Sequence, residues 1–324
     1  MTPGPIARND AHFMEHEIRA FAPATVANFG PGFDVLGVAL REPGDRVLIR
    51  RREGSGIELV SITGDGGRLP RDAASNTAGI AAAAVLKRAG VETRLEIEVE
   101  KGLPLGSGLG SSAASAAASA WAVNRLLGDP LGEVPLVEAC LDAESAVSGR
   151  HADNVAAAIL GGVVLVRSVD PLHVVRLPVP AGLALAVVTP EFELETRRAR
   201  TVLPKEIALG SAVLNQANLA GLVAALHSGD LDLMSRCFED RLATPFRAPL
   251  IPGAVAVMRA ARHAGALGSG ISGSGPTIFA LCEGERAAAR AAESMMDAFR
   301  EAGHASSAAV SPISPVGARE EPES

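Results

Sequence analysis

Apolar and polar positions change rhythm several times along the 324 residues. Residues 18–52 read as extended segments interrupted by the turn-rich ANFGPGFD, and VLIRR before Gly54 with IELVSI after Gly56 suggest a hairpin. Residues 76–89, NTAGIAAAAVLKRA, have a helix-forming composition that stops at Gly90. Leu95, Ile97 and Val99 then alternate with Glu96, Glu98 and Glu100, the two-residue period of a half-buried strand. Helices are predicted over 111–127, Ala-rich enough to pack close against a sheet, and over 132–147. After the loop SGRHADN, the run AAAILGGVVLVRS reads as a short helix followed by a strand. The pattern changes around Pro178 and Pro180. Beyond them come a strand in LALAVV, helices over 197–202, 208–227, 231–238 and 254–264, a strand at 277–282, a charged Ala-rich helix at 285–302 and a strand near 305–310. The organisation predicted is a lead-in (1–17), a first domain (18–178), a second domain (179–312) and a tail (313–324) that ends in the charged GAREEPES.

Composition narrows the function classes. A chain of this length can form two cores, and with 48% hydrophobic residues, Gly 34 and Pro 21 it is neither disordered nor collagen-like. Aromatics make up 3%, with no Tyr, and the net charge is −7, so no basic or base-stacking surface for nucleic acid or acidic lipid is expected. Cys140, Cys237 and Cys282 lack the spacings of zinc or redox motifs and read as buried thiols in a reducing cytoplasm. The N-terminal stretch carries acids and lacks the apolar run of a signal peptide. Residues 102–124 are uncharged over the length of a membrane span, yet their Gly, Ser, Ala and Pro content is too weakly apolar for one.

Three segments can carry chemistry. The strongest is Pro104-Leu105-Gly106-Ser107-Gly108-Leu109-Gly110-Ser111-Ser112, which joins a strand to a helix. Glycines at alternate positions let backbone N–H groups converge, and the helix start adds unpaired N–H groups and a positive dipole end, a combination suited to phosphate. A tight connection of no further purpose would use the same glycines. No Lys follows them as in a P-loop, so counter-charge must come from a metal or from elsewhere, and Ser111 and Ser112 are placed to reach it. The second segment, GSGISGSGPT, contains a literal G-x-G-x-x-G from Gly268 to Gly273 but is followed by Pro276 and a strand, which excludes the dinucleotide reading. It suits closure over a ligand or a plain loop equally well. The third comprises Asn28 and Asp34 in ANFGPGFD with Glu144, His151, Asp153 and Asn154 in ESAVSGRHADN; Glu144 could hold Mg²⁺. Thr196, Arg197, Arg198 and Arg200 cluster, and Arg247 lies in DRLATPFRAPLIP; such arginines either form a solvated face or grip a carboxylate.

In this order the segments resemble the three motifs of the GHMP small-molecule kinases, and APATVANFGPGFDVLGVAL, LPLGSGLGSSAAS, GRHADNVAAAILGG, ETRRARTVLP, DRLATPFRAPLIPG and SGISGSGPTIFAL are similar to segments of the homoserine kinase family. The resemblance implies an α+β, two-domain GHMP kinase fold. Its N-terminal domain is like domain 2 of ribosomal protein S5, with a left-handed crossover, and its C-terminal domain is ferredoxin-like. It implies ATP and Mg²⁺ as cofactors, a homodimer, and ATP-dependent phosphorylation of L-homoserine in threonine biosynthesis. Another hydroxylated metabolite such as mevalonate, or a binding protein without catalysis, are the alternatives. By the resemblance, residues 104–112 bind the ATP phosphates, Asn76 lies by the adenine, and Ser112 and Glu144 are the Mg²⁺ ligands. Asn28, Asp34, His151, Asn154, Arg200, Arg247, Gly270, Ser272 and Gly273 meet the amino-acid substrate, with Thr196, Asn154 and Arg200 beside the reacting groups. The Glu144-to-Asn154 spacing is one residue shorter than in some relatives, which puts the place of His151 in question. Ala243, Thr244 and Phe246 stand where relatives tend to carry larger polar residues or Tyr.

Overall fold

The computed structural model describes residues 16–322. Strands β1 (Glu17–Ala27) and β2 (Leu36–Arg52) pair antiparallel on either side of the turn at 28–35. β3 (Gly56–Thr63) is joined through α1 (Thr77–Ala89) to β4 (Arg94–Glu100), and β4 enters the sheet between β2 and β3, antiparallel to the first and parallel to the second. The hairpin expected across Gly54 and Gly56 therefore does not form. The glycines do turn the chain, but β4, whose Leu95, Ile97 and Val99 are all but fully buried, takes the central place, and the more exposed β3 is left at the edge.

Helices α2 (Ser111–Leu126), α3 (Glu133–Val147) and α4 (Asp153–Leu160) follow. α2 packs against β1, β2, α1, α3 and α4. Its alanines 113, 114, 116, 117, 118, 120 and 122 are buried, and their small side chains allow so many close neighbours. β5 (Val163–Val169) pairs with the start of β2, and β6 (Leu172–Leu177) pairs with β5.

A second, four-stranded antiparallel sheet begins at β7 (Leu183–Pro190). The chain continues through α5 (Thr196–Thr201), α6 (Leu209–Ser228), α7 (Leu231–Arg236), α8 (Thr244–Arg247) and α9 (Ala254–His263) to β8 (Gly268–Ile271), β9 (Ile278–Glu283), α10 (Glu285–Glu301) and β10 (Ser306–Pro312). Sheet order is β10-β7-β9-β8, with α9 and α10 packed on it, which is the ferredoxin-like arrangement. Ala184, Ala186, Val188, Ile278 and Ala280 share a core with α9 and α10, whereas Leu183, Leu185, Val187, Phe279 and Leu281 join the core of the first sheet. Alternation along two strands thus feeds both cores.

One expectation is corrected. Gly268 to Ile271, the first half of the glycine-rich segment, is a fully buried strand rather than a turn. A side chain on Gly268 would run into the Phe238 ring, so glycine here serves ring packing. The tail also returns to the body: Ile313 bridges to Leu40, Ala318 is buried, and β11 (Arg319–Glu320) pairs with β1 while the Arg319 guanidinium lies 4.2 Å from the Phe21 ring centroid. Residues 1–15 of the expected lead-in lie outside the described residues. The three cysteines are buried and unpaired. Among the described residues one helix, α6, is long and apolar enough to cross a membrane by length and composition, and only 22% of it is buried.

Candidate active site

A cavity of about 500 Å³ opens where α2, the turn after β1, the start of α4, α5 and the segment after β8 converge. One wall is the glycine loop. Gly106, Gly108 and Gly110 have φ of 65, 84 and 68°, the left-handed region that glycine adopts without strain, and the loop runs into the start of α2. The loop is pinned from behind. Ser107 Oγ donates to the Pro104 carbonyl, Thr25 N–H to Leu109, Thr277 N–H to Ser107 and Ser272 Oγ to Gly108. Leu105, Gly106, Ser107, Gly108, Gly110, Ser111 and Ser112 line the cavity; Pro104 and the buried Leu109 support it.

Beneath the helix start lies a group the sequence reading missed. Lys101 is buried, forms an ion pair with the fully buried Asp45, and donates to Ser111 O and Ser115 Oγ, each at 2.8 Å. Burial pushes the ammonium below its ordinary value, and Asp45 opposes that shift. Asp45 also accepts from the Gly102 and Leu103 N–H groups, so the pair clamps the entry to the loop. The lysine precedes the glycines here, where a search for a P-loop would not look.

Ser112 and Glu144, expected together, are together. Ser112 Oγ donates to Glu144 Oε2 at 2.9 Å and Ser148 Oγ to Glu144 Oε1. Burial raises the Glu144 carboxyl above its usual range, against the pull of the two hydroxyls. No cluster of three His, Cys, Asp or Glu exists among the described residues. Two hard oxygen donors at the cavity wall suit an ion that takes one or two protein ligands and completes its shell with phosphate and water, as Mg²⁺ does. Asn76 caps α1, accepting from Ala78 N–H and donating to Pro70 O, and lines the same cavity with Pro70, Ser75 and Thr77.

A charged cluster lines the same cavity. Arg200 grips Asp34 through two bonds of 2.7 and 3.0 Å, and His151 Nδ1 lies 3.6 Å from the same carboxylate. Asp34 and Asn28 have φ of 58 and 69°, sparse for residues with side chains, and are tied together by Asp34 N–H donating to Asn28 Oδ1. Asn28 also donates to Gly273 O. Arg247 is buried and donates to the carbonyls of Ala199 and Gly273; burial, with Arg200 nearby, lowers its guanidinium to about 10. Burial, the largest influence, lowers His151, while Asp34 pulls it back up. His151 lines the cavity.

Asn154, whose Oδ1 accepts from Thr25 Oγ1 at 2.7 Å, and Thr196, whose hydroxyl is 3.3 Å from Ser274 Oγ, line the cavity as well. Asp153 is buried at the cavity edge and accepts from Asn154 N–H; burial, reinforced by Asp34, raises it to about 7. Two expected contacts are not brought in. Gly270 lies in β8 against Phe279 and borders a separate cavity, and Ser272 turns its hydroxyl to the glycine loop; of that trio only Gly273 lines the site. Ala243, Thr244 and Phe246 do not line it either. Thr25, like Lys101, went unrecognised, for its partner Asn154 is 129 residues away and no local pattern marks it.

Residues 76–162 match the family model for the GHMP kinases N terminal domain, and residues 222–301 match that for the GHMP kinases C terminal. The homoserine kinase of Arabidopsis thaliana is 46% identical over 311 residues, covering 93% of this chain and 84% of that protein. The crystal structure of homoserine kinase from Cytophaga hutchinsonii superposes with a TM-score of 0.92 at 47% identity, over 96% of this chain and 99% of that one. The fold is also that of L. major mevalonate kinase in complex with R-mevalonate, with a TM-score of 0.69 at 16% identity over 90% and 95% of the two chains. Sequence and fold together make this chain a member of the GHMP kinases and, within them, of the homoserine kinase family.

Proposed function

We propose that the chain transfers the γ-phosphoryl group of ATP to the terminal hydroxyl of L-homoserine, giving O-phospho-L-homoserine for threonine biosynthesis, in the cytoplasm and as a homodimer. One observation carries the reading: a phosphate-type glycine loop at a helix start and a cluster of two arginines, one aspartate and one histidine share a single cavity. The loop N–H groups take the ATP phosphates. Arg200 and Arg247 take the substrate carboxylate and Asp34, with Asn28 and His151 around it, the ammonium, which leaves the hydroxyl directed along the cavity toward Thr196 and Asn154. Ser112 and Glu144 would hold Mg²⁺, which neutralises phosphate charge when bound.

In the reaction the hydroxyl oxygen forms a bond to the γ-phosphorus as the bond from that phosphorus to the β–γ bridging oxygen breaks. ADP departs and the hydroxyl proton is released. In-line positioning and charge stabilisation supply most of the rate, and the proton leaves without a side-chain base. A second reading rests on Asp153, whose place at the cavity edge and value of about 7 also suit a general base.

The test of the reaction is ATP consumption with L-homoserine, L-threonine and mevalonate side by side. Turnover on homoserine is expected, and its absence overturns the proposal.

A further inference from the structure

We propose that a second cavity, which shares its wall with the active cavity, binds a small organic anion and couples that ligand to the alcohol substrate. The anion site stands by itself, and the coupling rests on the function proposed above.

The second cavity measures about 1030 Å³ and lies among the end of α7, α8 with the turn after it, α9 and β8. Its floor is apolar: Phe238, Ala248 and Ile251 are buried, and Pro245, Pro249 and Pro252 continue them outward. Its rim is cationic. Arg259 and Arg262 stand three apart on α9 and so share a face of that helix, Arg236 comes from the last turn of α7, and all three are exposed. None of the three has an ion-pair partner among the described residues, and Arg236 spends only its Nε–H, on Asp232 O. The two acids of the lining are engaged already. Glu239 pairs with Arg241, and Asp240 accepts from the N–H groups of Leu242, Ala243 and Thr244. In a chain of net charge −7, three uncompensated guanidinium groups around one apolar floor favour a ligand with an anionic group for the rim and an apolar body for the floor.

Three pieces of chain border both cavities. The turn after β1 gives Asn28 to the active cavity and Gly30 to the second. α8 gives Arg247 to the first, while Thr244 and the adjoining Ala248 line the second. β8 gives Ser269 and Gly270 to the second, and its continuation gives Gly273 to the first. On the active side the three pieces meet at one atom, for Asn28 Nδ2 and Arg247 Nη1 both donate to Gly273 O, at 2.8 and 2.7 Å. Ser272 beside it holds the glycine loop through Gly108 O. A ligand that shifts these pieces from the second cavity therefore acts on the side chains that would hold the amino acid, and such coupling is reciprocal.

Titration calorimetry on the full chain tests the site with benzoate and phenyl phosphate, a carboxylate and a phosphate on the same apolar ring, and with benzylamine as the cationic control. At least one anion should bind, more weakly as salt is raised, and the tighter of the two names the ligand as carboxylate or phosphate. Arg259→Gln with Arg262→Gln, at two residues outside the active cavity, should raise its Kd at least about 10-fold with the melting profile kept. Arg290→Gln, at an exposed arginine of α10, should leave it unchanged. Saturating L-homoserine should change that Kd about 5-fold or more. Binding by neither anion, equally tight binding of benzylamine, or binding indifferent to the double variant overturns the site, the last by assigning the anion to the active cavity. A Kd that ignores homoserine, in a chain that turns homoserine over, overturns the coupling and leaves the site. Absence of that turnover is the failure of the proposed function, and the coupling falls with it while the anion site is judged by the double variant alone.

Discussion

Asp153→Asn separates the two readings of the proton and reports on burial at the same time. The carboxyl is buried, accepts one backbone hydrogen bond, and in the folded chain sits at about 7 against an ordinary 3.8. Because the folded value lies above the unfolded one, the native state binds the extra proton through that window. This carboxyl therefore costs nothing below about pH 4, and its cost grows as pH rises toward 7 and is constant above it. A displacement of about three units corresponds to roughly 4 kcal/mol at pH 8. The amide of Asn keeps the acceptor for Asn154 N–H and removes the ionisation. Thermal or urea unfolding from pH 5 to 8 should therefore show the variant gaining on the wild type as pH rises, by roughly 3 kcal/mol over that window. Its turnover should remain substantial, because no side-chain base is required. Parallel pH profiles would refute the burial argument, and a fall in kcat of about 10²–10⁴-fold in a folded variant would make Asp153 the base.

Arg247→Ala should raise KM for homoserine far more than KM for ATP in steady-state assays, and an equal effect on both would argue against a carboxylate contact. It should also lower the melting temperature, because the Ala199 carbonyl loses a buried donor, at about 1–3 kcal/mol, while Gly273 O keeps the bond from Asn28. Glu144→Gln should shift the Mg²⁺ concentration for half-maximal turnover upward, and an unchanged titration would contradict its part in holding the ion.

Periodicity carried the helices and most strands well, because α1, α2, α3 and β4 each advertise a buried face in their own few residues. Pairing was less legible. Gly54 and Gly56 look like a hairpin from nearby, and only the stronger burial of Leu95, Ile97 and Val99 decides that β4 intervenes. β8 was illegible for the opposite reason. Its glycines carry no strand propensity, and they are there because Phe238 and Phe279 occupy the space where side chains would be. The phosphate-type loop could be read from its glycines, since a backbone site is written locally. The charged end depended on the resemblance, for Asp34 meets Arg200 across 166 residues, and Thr25 and Lys101 act through partners that no spacing rule connects to them.

Asp34 and Arg200 hold each other across 2.7 and 3.0 Å before any ligand arrives, so a newcomer competes with an internal counter-ion. A zwitterion offers replacements to both partners at once, a carboxylate for the arginine and an ammonium for the aspartate, and no charge is stranded. A hydroxy acid without the amine satisfies Arg200 and leaves Asp34 alone, and an amino alcohol does the reverse. Either mismatch leaves a half-buried ion without its partner, at about 1–3 kcal/mol or more. On the function proposed above, the pair admits two charges of opposite sign and resists one, which would sort amino acids from other alcohols.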